Sequence, residues 1–239
     1  MDKGCYDYII DSRDTDYRGQ ATLTSMVHYI LEAAGDDADR NGFGVADLNC
    51  DNCSWVLSRM SVDFDRWPGK HERLTVRTWV NDVNRMMTNR CMIITDSNGE
   101  RLAAAITQWA IIDLDKRTAL DIREHINYEG AVTDEPSPID KPARIRQVSA
   151  QQTTTHRVVY SDIDFNFHMN SLRYLVLMVD MLSEEYFERR ELARVDINFI
   201  HEARYGQVLT IGYEQGEDSL FEINDSEGQP LCRASLKWR

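Results

Sequence analysis

No long hydrophobic run occurs in this chain. The longest wholly apolar stretch, Tyr174 to Val179, ends at Asp180, far short of the roughly 18 apolar residues that span a bilayer. The opening MDKGCYDYIID has no apolar h-region, so no secretory leader is expected. Cysteine is scarce: five residues, an odd number without regular spacing. That excludes a disulfide framework and leads us to expect reduced thiols in the cytoplasm. Cys50 and Cys53 form a lone C-x-x-C. A zinc site needs two further ligands at suitable spacing, and none stands out, so no metal or cofactor is implied. Basic charge is also short. With 27 Lys and Arg against 40 Asp and Glu, the net charge is −13, which argues against general nucleic-acid binding. Proline is rare too, and three of the five (Pro136, Pro138 and Pro142) fall within Thr133–Arg144. Such a stretch reads as a stiffened linker.

What the chain does have is 239 residues, 42% of them hydrophobic, enough for one large domain or two small ones. It also has an internal repeat. DSNGERLAAAITQW, ending at Trp109, and DSEGQPLCRASLKW, ending at Trp238, share six of fourteen positions without a gap, at a spacing of 129 residues. Each reads as a D-S-x-G hairpin turn and a strand. Upstream, RDTDY at 13–17 echoes SDIDF at 161–165, pairing Asp14 with Asp162 and Asp16 with Asp164. Leu74-Thr-Val76 echoes Leu209-Thr-Ile211, after Gly69 and Gly206 respectively. A helix pattern follows each Asp pair. Met26, Val27, Ile30, Leu31 and Ala34 keep helical spacing, whereas Tyr174 to Leu182 is apolar nearly all round and predicts a fully buried helix. Asp36–Ser54, polar and rich in Gly and Asn, reads as a loop insertion in the first copy.

The expected unit is therefore a strand, a buried helix and several long antiparallel strands. A curved antiparallel sheet around one helix is the hot-dog arrangement. The fold class is α+β, a tandem double hot-dog with its sheets edge to edge. Residues 1–132 form the first repeat, 133–144 the linker and 145–239 the second repeat.

The chemistry concentrates where the second helix begins, at D-I-D-F-N-F-H-M-N, residues 162–170. Asp164, Asn166 and His168 alternate, so an extended segment would point all three one way. A helix N-terminus offers N–H groups and partial positive charge to a developing oxyanion. Helix capping by Asp and Asn is the plain structural reading of the same residues. The repeat distinguishes the two readings. Opposite Asn166, His168 and Asn170 the first copy has Arg18, Gln20 and Thr22, so only the second has an imidazole there. Glu202, at the end of an alternating strand, adds a carboxylate, and matching Gly69 with Gly206 puts Asp65 opposite it. By itself Glu202 reads equally as a solvated turn residue.

Together these residues resemble the acyl-acyl-carrier-protein thioesterases of plant plastids. The most specific match is D-x-N-x-H-x-N with a following basic residue and Tyr: Asp164, Asn166, His168, Asn170, Arg173 and Tyr174. Trp55-Val56, Arg59-Met60, Asp65-Arg66, Thr78-Trp79-Val80 and the strand reaching Trp109 support it. The resemblance implies hydrolysis of fatty acyl-carrier-protein thioesters, ending chain elongation in fatty acid biosynthesis. It implies Asp164, Asn166, His168 and Glu202 as the catalytic set, with N–H groups near His168–Asn170 serving the oxyanion. It places the acyl chain in the first repeat. Where the plant pattern has a cysteine after the glutamate, this chain has Ala203, so no thiol nucleophile can act from that position. The implied partner is acyl carrier protein, with Arg144, Arg146 and Arg194 as candidate contacts. Neither a nucleic acid nor a membrane is expected as partner, and a homodimer is left open. Two other readings stand beside this one: a hot-dog thioesterase acting on acyl-coenzyme A, and a non-catalytic sensor that binds acyl thioesters.

Overall fold

The computed structural model describes residues 4–127 and 132–239, so the first three residues of the MDKGCYDYIID stretch read above lie outside it. The chain divides into two compact units, Met1–Pro142 and Ala143–Arg239. No helix among the described residues is long and apolar enough to cross a membrane.

The first unit begins with β1 (Gly4–Ile9), α1 (Leu23–Arg40), α2 (Val45–Cys50) and β2 (Cys53–Phe64). It continues with β3 (Arg73–Val83), β4 (Thr88–Asp96), β5 (Arg101–Asp113) and α3 (Ile122–His125). Its antiparallel strands run in the order β1-β3-β4-β5-β2. Helix α1 packs on β1 and β3, burying Leu23, Met26, Val27, Ile30, Ala33 and Ala34. Met60, Val62 and Phe64 of β2 are buried, as their alternation predicts. The polar stretch at 36–54 is not a loop. Its first residues complete α1, where buried Asp37 meets buried Arg90 at 2.5 Å, and α2 follows after a turn. Phe43 and Leu48 fill a small core with Cys53, Ile111 and Ile122. Cys50 is exposed and Cys53 buried, and burial pushes the Cys53 thiol pKa up. The proline-containing stretch lies along β3, where Glu135 pairs with Arg77 at 2.8 Å and the Ser137 hydroxyl accepts from Asn81.

The second unit contains β6 (Gln152–Arg157), a 3-10 turn (Tyr160–Asp162), α4 (Ser171–Val179) and α5 (Glu184–Arg189). Strands β7 (Leu192–Phe199), β8 (Val208–Gln215), β9 (Ser219–Asn224) and β10 (Pro230–Trp238) complete it. The order β6-β8-β9-β10-β7 repeats that of the first unit, again antiparallel. Helix α4 has nine residues against eighteen in α1. It is not fully buried: Tyr174, Leu175 and Met178 are, whereas Leu172, Val176, Leu177 and Val179 are half-buried. It also stops at Val179, before Asp180, so the uniform apolar run to Leu182 overstates both length and burial.

The duplication is visible hydrogen bond by hydrogen bond. In the hairpin between β4 and β5, Asp96 Oδ1 accepts from the N–H groups of Asn98 and Glu100, both at 2.9 Å. In the hairpin between β9 and β10, Asp225 Oδ1 accepts from Glu227 and Gln229, also at 2.9 Å. Gly99 and Gly228 close these turns at φ +84° and +81°, a conformation that suits glycine.

Candidate functional site

In the second unit the segment before α4 folds back on itself. Ile163 bridges Met169, the Asp164 N–H donates to the His168 carbonyl at 2.9 Å, and the Phe167 N–H donates to the Asp164 carbonyl at 3.0 Å. Asp164 Oδ1 accepts from the Asn166 N–H at 2.9 Å, an Asx turn. The residues are thus not laid along an extended segment, and alternation does not set their directions. Asn170 caps α4, its side chain accepting from the Leu172 N–H at 2.8 Å, a contact worth about 1 kcal/mol.

A second segment lies against this turn. After β7, the Ala203 carbonyl accepts from the Met169 N–H at 2.8 Å, and the Ala203 N–H donates to the Tyr174 hydroxyl at 2.9 Å. The chain is clamped on both sides of the peptide that follows Glu202. The result is direct contact between Glu202 Oε2 and His168 Nε2 at 3.0 Å, both partly open to solvent. Of the four predicted residues, His168 and Glu202 are therefore brought together. Asp164 is joined to Asn166 through the backbone of the turn, and the Asn166 side chain is exposed.

Behind the turn is a residue whose part the sequence did not reveal. The Asp162 carboxylate is fully buried. It accepts from the Val159 N–H at 2.9 Å and from Arg173 Nε at 2.8 Å, and it contacts His156 Nε2 at 2.7 Å. Burial pushes its pKa up, but the Val159 N–H, His156 and Arg173 together outweigh burial and hold it below the usual carboxylate range. The Asp162 carbonyl accepts from the Asn170 N–H at 2.8 Å. The motif's Arg173 and Tyr174 thus acquire distinct tasks, one on Asp162 and one on Ala203. The repeated Asp14/Asp162 pair was the only sequence signal for this network.

Two expectations need correction. The N–H groups of Met169 and Asn170 are committed to the Ala203 and Asp162 carbonyls, so neither can serve an oxyanion. The arginines chosen as partner contacts are also largely engaged. Arg194 is mostly buried against Asp196 at 2.8 Å, and Arg146 is paired with Glu214. Arg144 alone of the three remains exposed without an ion pair among the described residues.

The first unit builds the same frame. Asp16 N–H to Gln20 carbonyl, Gly19 N–H to Asp16 carbonyl, Ala21 N–H to Pro68 carbonyl and Thr22 N–H to Asp14 carbonyl span 2.8–2.9 Å. Each has its counterpart in the second unit. The Arg18 N–H donates to Asp16 Oδ1, and the Asp11 N–H to Asp14 Oδ2, both at 2.9 Å. This matching places Pro68 opposite Ala203 and therefore Trp67 opposite Glu202, correcting the pairing with Asp65. His71 (φ +70°), not Gly69, occupies the place of Gly206 (φ +84°): their N–H groups donate to the Ile10 and Val158 carbonyls respectively. Where the second frame carries His168 and Glu202, the first carries Gln20 and Trp67.

Comparison with known proteins identifies the family. Residues 3–129 match the acyl-ACP thioesterase N-terminal domain and residues 145–239 the C-terminal domain. The crystal structure of an acyl-ACP thioesterase from Bacteroides thetaiotaomicron is similar over 99% of this chain and 98% of its own, with TM-score 0.93 and 30% identity. The 12:0-ACP thioesterase from Umbellularia californica shares the fold at TM-score 0.85 and 19% identity, over 98% of this chain and 96% of its own. The chloroplastic acyl-[acyl-carrier-protein] hydrolase FATB3 of Cuphea viscosissima is 23% identical over 83% of this chain, which spans only 52% of that relative's length. The expected α+β double hot-dog is thus the fold. With both halves matched in order along nearly the whole described chain, the protein belongs to the acyl-ACP thioesterase family.

Proposed function

We propose that the protein hydrolyses fatty acyl thioesters carried on acyl carrier protein, releasing free fatty acid and the holo carrier and so ending chain elongation. The observation that carries this reading is the 3.0 Å contact between Glu202 and His168 at the start of α4, present in only one of two otherwise matching frames. We assign catalysis to residues 145–239 and the acyl chain to residues 1–132, with 133–144 between them. The cytoplasm is the proposed compartment.

In this mechanism Glu202 takes a proton from water as the water oxygen attacks the thioester carbon. The carbonyl electron pair moves onto oxygen, where the exposed Asn166 side-chain amide donates to it. One such donor is typically worth about 3 kcal/mol. Collapse reforms the carbonyl and breaks the C–S bond. The departing thiolate, with a thiol pKa of about 8.5, needs little assistance. His168, in contact with Glu202, passes the proton to sulfur. Asp164 holds Asn166 through the Asx turn. Water and thioester become acid and thiol, with no further reactant.

The test is thiol release from acyl-carrier-protein substrates of several chain lengths, beside the matching acyl-coenzyme A species. Glu202→Gln and His168→Ala should each lower turnover at least about 100-fold with the unfolding midpoint retained. Wild-type turnover in both variants would refute the assignment. Equal use of both carriers would refute the carrier-protein reading.

A further inference from the structure

The second frame differs from the first in more than its acid and base. Four large aromatic side chains stand in solvent around it: Tyr160 (88% exposed), Phe165 (74%), Phe167 (83%) and Tyr205 (70%). The matching positions in the first frame are Ser12, Tyr17, Gly19 and Lys70, only one of them aromatic. Phe167 is the most telling. Its φ is +62°, where the first frame uses Gly19 at +76°. A bulky residue in the left-handed region is a backbone outlier that costs stability. Here no packing offsets that cost, since the ring lies in water.

These residues lie on adjoining turns of the second frame. Phe165 and Phe167 belong to the turn that presents His168. Tyr205 lies in the turn after Glu202, and that turn is bound to the segment leading to Tyr160 by the Gly206 N–H to Val158 carbonyl bond at 2.9 Å. Two exposed arginines lie on the same segments. Arg157 ends β6 beside Val208, and Arg204 sits within the Glu202 turn. Both are exposed, and neither forms an ion pair among the described residues. In a chain of net charge −13, two arginines without an ion pair among the described residues stand out beside the exposed aromatic rings.

We infer that this set of residues is the docking surface for the acidic carrier protein that delivers the acyl chain, with the aromatic rings as anchors and Arg157 and Arg204 meeting carboxylates. The inference rests on the function proposed above. Exposed Tyr and Arg are the residues that most often anchor protein interfaces. An acidic partner would otherwise be repelled by the chain's net charge. The location brings the carrier to the atoms that must reach its thioester.

The experiment compares wild type with Tyr160→Ser/Tyr205→Ser and with Arg157→Glu/Arg204→Glu. Each is assayed on acyl-carrier protein and on the same acyl group carried by N-acetylcysteamine, with holo carrier binding measured separately by fluorescence anisotropy. The expected result is a KM for the carrier-bound substrate raised at least about tenfold. Turnover of the small thioester should be unchanged, and the charge-reversed protein should lose salt dependence. Phe167→Gly should raise the same KM without lowering the unfolding midpoint, since glycine suits the backbone there. An unchanged KM and unchanged carrier binding would overturn the docking surface. So would equal losses on both thioesters, or a dimer that the aromatic variants split. If wild type cleaves neither thioester, the proposed activity falls, and carrier binding lost in the variants would leave the docking surface standing by itself.

Discussion

Replacing Tyr174 by phenylalanine removes one oxygen atom, and the structure locates the consequence. That hydroxyl accepts the Ala203 N–H at 2.9 Å, within a wholly buried residue. In Tyr174→Phe the ring keeps its edge-on contact with Phe199, 5.7 Å between centroids, so the change isolates the hydrogen bond. A buried N–H left without a partner costs about 1–3 kcal/mol. For a chain of this size each kcal/mol lowers the unfolding midpoint by about 2–4 °C. The expected fall is therefore about 2–12 °C, read by circular dichroism on heating. The freed peptide immediately follows Glu202, so its carboxylate loses one of two clamps. Because a displacement near 1 Å can cost about 100-fold, kcat should fall at least about tenfold while KM changes little. Tyr8→Phe is the control, since the Tyr8 hydroxyl is buried without a hydrogen-bond partner among the described residues. Removing it should leave the midpoint unchanged or raise it. If Tyr174→Phe kept both midpoint and kcat, the clamp would have no part in placing Glu202.

Acid should expose the second network. The folded Asp162 carboxyl titrates below its ordinary value of 3.8, so its contribution is fully present above about pH 4 and is lost as pH falls through the folded value. Asp162→Asn should be less stable than wild type in urea at pH 7, and the difference should shrink by pH 3; a constant difference would show that charge is not what Asp162 supplies. Glu214, held down to about 2 by the Arg146 guanidinium and then the Ser149 N–H, should still pair with Arg146 at pH 3, so chemical shifts of that pair should move only below that pH. Ala203→Cys should restore no activity to Glu202→Gln, because position 203 is fully buried; alkylation of that thiol by iodoacetamide in the native protein would contradict this.

Side-chain identity announced the site, but not its wiring. His168 stood out because its repeat partner is Gln20, and Glu202 because it ends a strand; the structure sets them 3.0 Å apart. The oxyanion expectation failed for Met169 and Asn170 because their N–H groups meet carbonyls 34 and 8 residues away in sequence, respectively, and no local pattern records such pairings. The match of Glu202 to Asp65 failed because it relied on glycine. In the first copy the left-handed position is taken by His71, which carries no such signal. Helix α1 was underestimated because Asp37, which looks solvent-facing, is buried against Arg90. Periodicity cannot anticipate a charge whose partner lies on a distant strand.

The bonds that hold the two turns in shape come from backbone groups, from Asp14 and Asp162, from Asp16 and Asp164, and from the caps Thr22 and Asn170. None of these bonds draws on the side chains at 20, 67, 168 or 202. Trp67 is tied to packing, its ring stacked on that of buried Phe64 at 4.3 Å between centroids, whereas the bonds of the frame leave positions 20, 168 and 202 to be chosen on other grounds. Chemistry can be installed or erased there by point changes without rebuilding the loop, and the first half of the molecule keeps the frame with Gln20 where the second half carries its imidazole.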